Sequence, residues 1–103
     1  MYVARFSYDV LPVNRQRAID FIRREIEAAH EKRLKARLLV PLTRGQAGAA
    51  LQFEVELTDL DQLDRFRHEG AGSSKETANW MHAFSEILVA PPHVEILRVD
   101  EKP

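Results

Sequence analysis

Four aromatic side chains, Tyr8, Phe53, Trp80 and Phe84, fall at inward-facing positions of their segments and carry the most suggestive chemistry in this chain. Together they could line an apolar pocket for a flat organic molecule, with the Tyr8 hydroxyl as a donor inside it. The plainer alternative is core packing, because aromatic residues at helical spacing, such as Trp80 and Phe84, are what an amphipathic helix buries. The histidines His30, His68, His82 and His93 have no spacing that would bring two of them onto one ion, so no metal site is expected. His93 has the best claim of the four to acid-base work, since it starts a strand beside a charged sheet face. Glu54 and Glu56 lie two apart on one strand face and could perturb each other's ionisation, but Arg5 and Arg37 nearby favour structural pairing. Gly70-Ala71-Gly72-Ser73-Ser74-Lys75 could hold an anion on free backbone amides ahead of a helix. Its spacing is not that of a nucleotide phosphate loop, and it reads as a joint between helices. No serine, histidine and acid set can be assembled from spacing, so the sequence names no catalytic residue and calls for no cofactor.

The elements that must position these groups can be read from periodicity. Tyr2 to Leu11 alternates, with Tyr2, Ala4, Phe6, Tyr8 and Val10 on one side and Val3, Arg5, Ser7 and Asp9 on the other, as a half-buried strand does. Pro12 ends it. Asn14 is placed to cap a helix running to about Lys32, with Ala18, Ile22, Ile26 and Ala29 inward, Ile19 and Phe21 flanking, and Asp20/Arg24 and Arg23/Glu27 as surface pairs. Leu34 to Leu42 reads as a second strand, joined through Thr43 to Gly48 to a third. That third strand puts Ala49, Leu51, Phe53, Val55 and Leu57 on one face and Ala50, Gln52, Glu54 and Glu56 on the other. Thr58 with Asp61 resembles a capping box for a short helix that Gly70-Ala71-Gly72 stops, and Ser73 with Glu76 opens another. Thr77, Trp80, Met81, Phe84, Ile87 and Leu88 form the stripe of the latter, which ends at Pro91-Pro92 before a last strand, His93 to Val99.

Strand, helix, strand, strand, split helical region and strand make a ferredoxin-like βαββαβ order, an α+β fold with an antiparallel sheet and its helices on one face. The first and third strands are expected side by side, with the second next to the third. Arg5, Glu54 and Arg37 would then form a row of alternating charge on the helix-free face. One domain spanning residues 1–103 is expected from a chain of 103 residues with neither repeats nor a long linker. At 45% hydrophobic and 30% charged residues the chain has enough apolar surface to fold and enough charge to stay soluble. Fifteen basic against sixteen acidic residues leave a formal charge of -1, which supplies no field for nucleic acid or anionic lipid. The absence of cysteine excludes disulfides and thiolate chemistry and fits a reducing compartment. With no basic-then-apolar leader and no apolar run near the roughly 20 residues of a membrane span, a cytoplasmic location is expected.

The element order, the opening strand closed by Leu11-Pro12, and Phe84-Ser85-Glu86-Ile87-Leu88 followed by Pro91-Pro92-His93-Val94-Glu95 resemble the dimeric α/β-barrel superfamily. That superfamily includes antibiotic-biosynthesis monooxygenases, muconolactone isomerases and polyketide cyclases. The resemblance covers nearly the whole chain and implies a homodimer closed across a twofold axis, with a pocket between sheet and helices in each protomer. The departure is the charged helix-free face of Arg5, Asp9, Arg37, Glu54 and Glu56. Either it forms a wet interior with charges paired across strands or subunits, or it is solvated and the chain pairs elsewhere or not at all. The function expected is a small-molecule enzyme on an apolar or aromatic metabolite, as a cofactor-independent oxygenase, cyclase or isomerase. The alternative is a non-catalytic ligand-binding or self-assembly module using the charged face.

Overall fold

Alternation at the N-terminus produces β1, Tyr2–Tyr8, which pairs antiparallel on both sides and so lies inside the sheet. The computed structural model describes residues 1–43, 51–59, 61–62, 64–65 and 82–100. The strands β2 (Ala36–Leu39), β3 (Leu51–Leu57) and β4 (His93–Arg98) join β1 in the order β2-β3-β1-β4. Every pairing is antiparallel, and the order is the ferredoxin-like one expected from the sequence. Helix α1, Arg15–Glu31, connects β1 to β2, and residues 61–62, 64–65 and 82–85 between β3 and β4 are helical.

β1 is shorter than the alternation suggests. After Tyr8 the chain turns away from the sheet, and Val10 forms an isolated bridge with Leu88 while the Val89 amide donates to the Asp9 carbonyl at 2.9 Å. Pro12–Asn14 then form one 3-10 turn, whose closing bond from the Asn14 amide to the Leu11 carbonyl is 2.9 Å. Asn14 is the residue before the helix, as expected, but it makes no side-chain cap, because its backbone is already in the turn. The Thr58/Asp61 box is likewise displaced by one position: Asp59 Oδ1 accepts from the Gln62 amide at 2.7 Å, and Gln62 Oε1 accepts from the Thr58 amide.

The C-terminus of α1 closes with a left-handed residue. Arg33 has φ 60°, its amide donates to the His30 carbonyl at 3.0 Å, and the next amide, of Leu34, reaches the Ala29 carbonyl at 2.9 Å. These are the two bonds of a Schellman motif, made with a non-glycine residue at the left-handed position. The closure takes up Leu34, so β2 begins only at Ala36 rather than at Leu34.

The core lies between α1 and one sheet face. Ala4 and Tyr8 of β1 and Leu51, Phe53, Val55 and Leu57 of β3 meet Ala18, Ile22 and Ala29 of α1, with Phe84 and Ile87 completing it. Small alanines at both ends of the helix's buried line let its backbone approach the sheet, and Ile22 fills the middle. Ile26, expected inward, is only half-buried; Glu25 occupies the buried line in its place.

Candidate functional site

Tyr8 and Phe6, two apart on β1, point from the same face of the sheet. Their rings stack at 6.4 Å, and Phe6 in turn stacks on Phe53, its register partner on β3, at 5.7 Å. On the other side of Tyr8 the ring of Phe84 approaches to 4.7 Å, and Phe84 stacks on Phe21 of α1 at 5.3 Å. The result is a continuous row of five rings, Phe53, Phe6, Tyr8, Phe84 and Phe21, crossing from the sheet to α1. Arg24 sits over the outer ring, 6.0 Å from the Phe21 centroid.

Of the four residues singled out by sequence, Tyr8, Phe53 and Phe84 are therefore brought into one cluster, and all three are buried. Trp80 lies outside the described residues, as do His68 and the segment from Gly70 to Lys75. Sequence reasoning missed Phe6 and Phe21 as members of the row, and Glu25 as a buried residue of α1. The signal for Glu25 was its spacing, since Ala18, Ile22, Glu25 and Ala29 follow the four-three-four steps of one helical face.

Electrostatics set the state of the phenol. Tyr8 is 4% exposed, and burial first and the Glu25 carboxylate second hold its proton well above the usual phenol range. Tyr8 is thus a neutral hydroxyl at any physiological pH, able to donate a hydrogen bond without ionising. Glu25 is itself only 7% exposed, on a helix face otherwise lined by alanine and isoleucine.

A second constellation lies on the opposite face of the sheet, which carries no helix among the described residues. Register places Arg5 opposite Glu54 and Glu54 opposite Arg37, the row read from the alternation, and extends it to Glu95 beside Arg5. Arg5 Nε donates to Glu54 Oε2 at 2.6 Å, while Arg37 donates to Oε1 from Nη2 at 2.7 Å and from Nε at 3.0 Å. Burial alone would push the Glu54 carboxyl up. The hydrogen bonds from Arg37 and Arg5, with their charges, outweigh this and hold it below the usual carboxylate range. One row further along, Gln52 Nε2 donates to Ser7 Oγ at 3.2 Å.

The described histidines lie on separate elements. His82 is exposed and lies 3.8 Å from Glu86 one turn on, His93 begins β4 at the surface, and His30 ends α1 in solvent. Among the described residues no three histidine, aspartate or glutamate side chains converge as a metal site requires. No helix among them is long and apolar enough to cross a membrane.

Fold and site define an α+β ferredoxin-like protein with an aromatic cluster between sheet and helix and a paired charge row on the sheet face opposite α1. The structure of Rv0793 from Mycobacterium tuberculosis is similar with a TM-score of 0.73 at 16% identity, over 99% of this chain and 98% of that one. A conserved protein from Methanosarcina mazei Go1 matches with a TM-score of 0.71 at 18% identity, over 97% of this chain and 94% of its own. A "putative antibiotic biosynthesis monooxygenase" from Bordetella bronchiseptica matches with a TM-score of 0.67 at 13% identity, over 97% and 98%. At these identities the likeness shows a shared fold, the one the sequence resemblance implied. No family model and no curated protein matches the chain.

Proposed function

We propose that this chain, as a single domain over residues 1–103, is a small-molecule enzyme of the monooxygenase-like type acting on an apolar or aromatic metabolite in the cytoplasm. The observation that carries this reading is Tyr8: a buried phenol held neutral within a row of stacked rings, able to orient a flat ligand by one hydrogen bond. Such a site works by orientation and exclusion of water, with a proton-handling group beside it. Tyr8, Phe53, Phe84 and Trp80 are its proposed walls. Turnover in a screen of phenolic and quinonoid compounds should fall at least tenfold in Trp80→Ala with the thermal midpoint changed by only a few degrees. Unchanged turnover and unchanged stability would remove Trp80 from the site.

The working unit proposed is a homodimer joined through the sheet face opposite α1. Read across the sheet, Glu95, Arg5, Glu54 and Arg37 alternate in sign. A twofold axis along the strands between β1 and β3 reverses that row onto itself, setting Glu95 against Arg37 and Arg5 against Glu54 of a second copy. Light scattering should give twice the chain mass of 11.9 kDa. In Glu95→Arg, which sets two cations opposite each other, the dissociation constant should rise roughly tenfold, about 1.4 kcal/mol. A monomeric wild type would leave the face solvated and remove this interface. The same row favours a second reading, a non-catalytic self-assembly or ligand-binding module, which predicts the dimer with no chemistry on any bound compound.

A further inference from the structure

We propose that the end of the sheet where β1 finishes and β4 begins docks on an anionic lipid surface, with apolar tips of its connecting segments entering the headgroup region. This surface neither needs the enzyme reading above nor tests it.

Register fixes which segments meet there. Tyr8 lies opposite Leu51, Leu39 opposite Gln52 and Ser7 opposite His93, so β1 and β2 end, and β3 and β4 begin, at the same end of the sheet. The segments leaving that end carry the four most exposed of the large apolar side chains described. Leu42 is 97% and Val13 83% exposed, and Val89 and Leu11 are each more than half exposed. The Val89 amide donates to the Asp9 carbonyl and Val10 bridges Leu88, which holds the turn from Leu11 to Val13 beside Val89. Apolar side chains gathered at one end in this way mark an interaction surface, whereas the same chains scattered singly would mark nothing.

Charge selects the partner. Segments 10–19, 40–43 and 87–94 hold Arg15, Arg17 and His93 and no carboxylate. The flanking acids are Asp9, which is half-buried, Asp20, which accepts from Gln16, and Glu86, which faces His82. The first turn of α1 contains no acid, and both arginines stand at the positive end of its dipole, where an acid would be the stabilising choice. Their charge does not serve the helix and is directed to an anion outside the chain. The formal charge of -1 belongs to the whole chain; within a Debye length of this end the local arginines set the field.

Shape separates a bilayer from a protein partner. Tips as solvated as Leu42 and Val13 stand clear of their own segments, and a folded partner would need a matching recess for each, while lipid headgroups yield around them. In the dimer proposed above, a twofold axis along the strands keeps both copies pointing the same way, so two such ends meet one plane.

The test floats the full chain with vesicles of phosphatidylcholine alone or of an equal mixture with phosphatidylglycerol. Wild type should bind the mixed vesicles, bind pure phosphatidylcholine at least roughly tenfold more weakly, and be released by high salt. Arg15→Gln and Arg17→Gln should each lower affinity for the mixed vesicles about fivefold, and Val13→Ser combined with Leu42→Ser about tenfold. All four side chains are exposed, so circular dichroism should not change. Because the chain has no cysteine, Leu42→Cys accepts a single polarity-sensitive fluorophore, whose emission should shift to the blue on mixed vesicles. The same label on Glu31→Cys, at the far end of α1, should not respond. No flotation with mixed vesicles, binding that the serine substitutions leave intact, or a Leu42→Cys label unchanged on bound vesicles overturns the lipid surface. Self-association without lipid that Leu42→Ser weakens would assign this end to a second copy of the chain, and overturns it equally.

Discussion

Phe84→Ala is expected to lower the free energy of unfolding by about 3–5 kcal/mol, the range for deleting a buried phenylalanine ring. Phe84 is 2% exposed and joins the aromatic row from both sides, touching Tyr8 at 4.7 Å and Phe21 at 5.3 Å. It is the ring through which the segment before β4 grips both β1 and α1, so its loss removes transfer energy, opens a cavity and separates two elements at once. Since a domain of this size has about 5–15 kcal/mol in total, the thermal midpoint should fall by roughly 15–25 °C. Urea unfolding with an unchanged denaturant slope would confirm that the loss is one of packing. Phe84→Leu, which refills most of the volume, should lose no more than about 1.5 kcal/mol. A loss below about 1 kcal/mol in Phe84→Ala would mean that the ring does not connect the two layers.

How much of this was legible before the structure depends on which periodicity carried the information. In β1 and β3 the period is two, and a slip of one residue would turn Arg5, Glu54 and Glu56 into the core and Phe53, Val55 and Leu57 into solvent. The register was therefore strongly constrained, and the Arg5-Glu54-Arg37 row could be read directly from it. On α1 the constraint is weaker, because steps of three and four are both helical: from Ile22 the pattern continues equally well through Ile26 or Glu25, and hydropathy alone chooses the isoleucine. The structure chooses the glutamate. Spacing admits both residues, and only the packing of α1 on the sheet separates them, with Ile26 left half-buried against the core. The late start of β2 and the uncapped Asn14 have the same kind of cause, since backbone closures at both ends of α1 settle them rather than side-chain preference, whereas the end of β2 at Leu39 rather than Leu42 lies beyond their reach.

Glu54→Ala is expected to remove about 2–3 kcal/mol of stability at neutral pH, from a position on the face away from the helix. One carboxylate there pins three strands, with Oε2 taking the Arg5 guanidinium from β1 and Oε1 that of Arg37 from β2. Its residue is 2% exposed, so water cannot replace these bonds while the acid is folded. Removing one member of a buried pair ordinarily costs about 3–5 kcal/mol. The expectation is smaller here because the side chains of Arg37 and Arg5 are 66% and 34% exposed and can turn to solvent once Glu54 is gone. Acid separates this from a packing loss. The folded-state carboxyl titrates below its unfolded value, so its ionised form favours the folded chain. That contribution is whole above the unfolded glutamate value of about 4.3 and disappears as pH falls from there through the folded one. Wild type and Glu54→Ala should therefore differ most near about pH 7 and converge in acid, as followed by urea unfolding at fixed protein concentration. A difference that stayed constant with pH would assign the loss to packing, and the charge row would no longer be what ties β2 and β1 to β3.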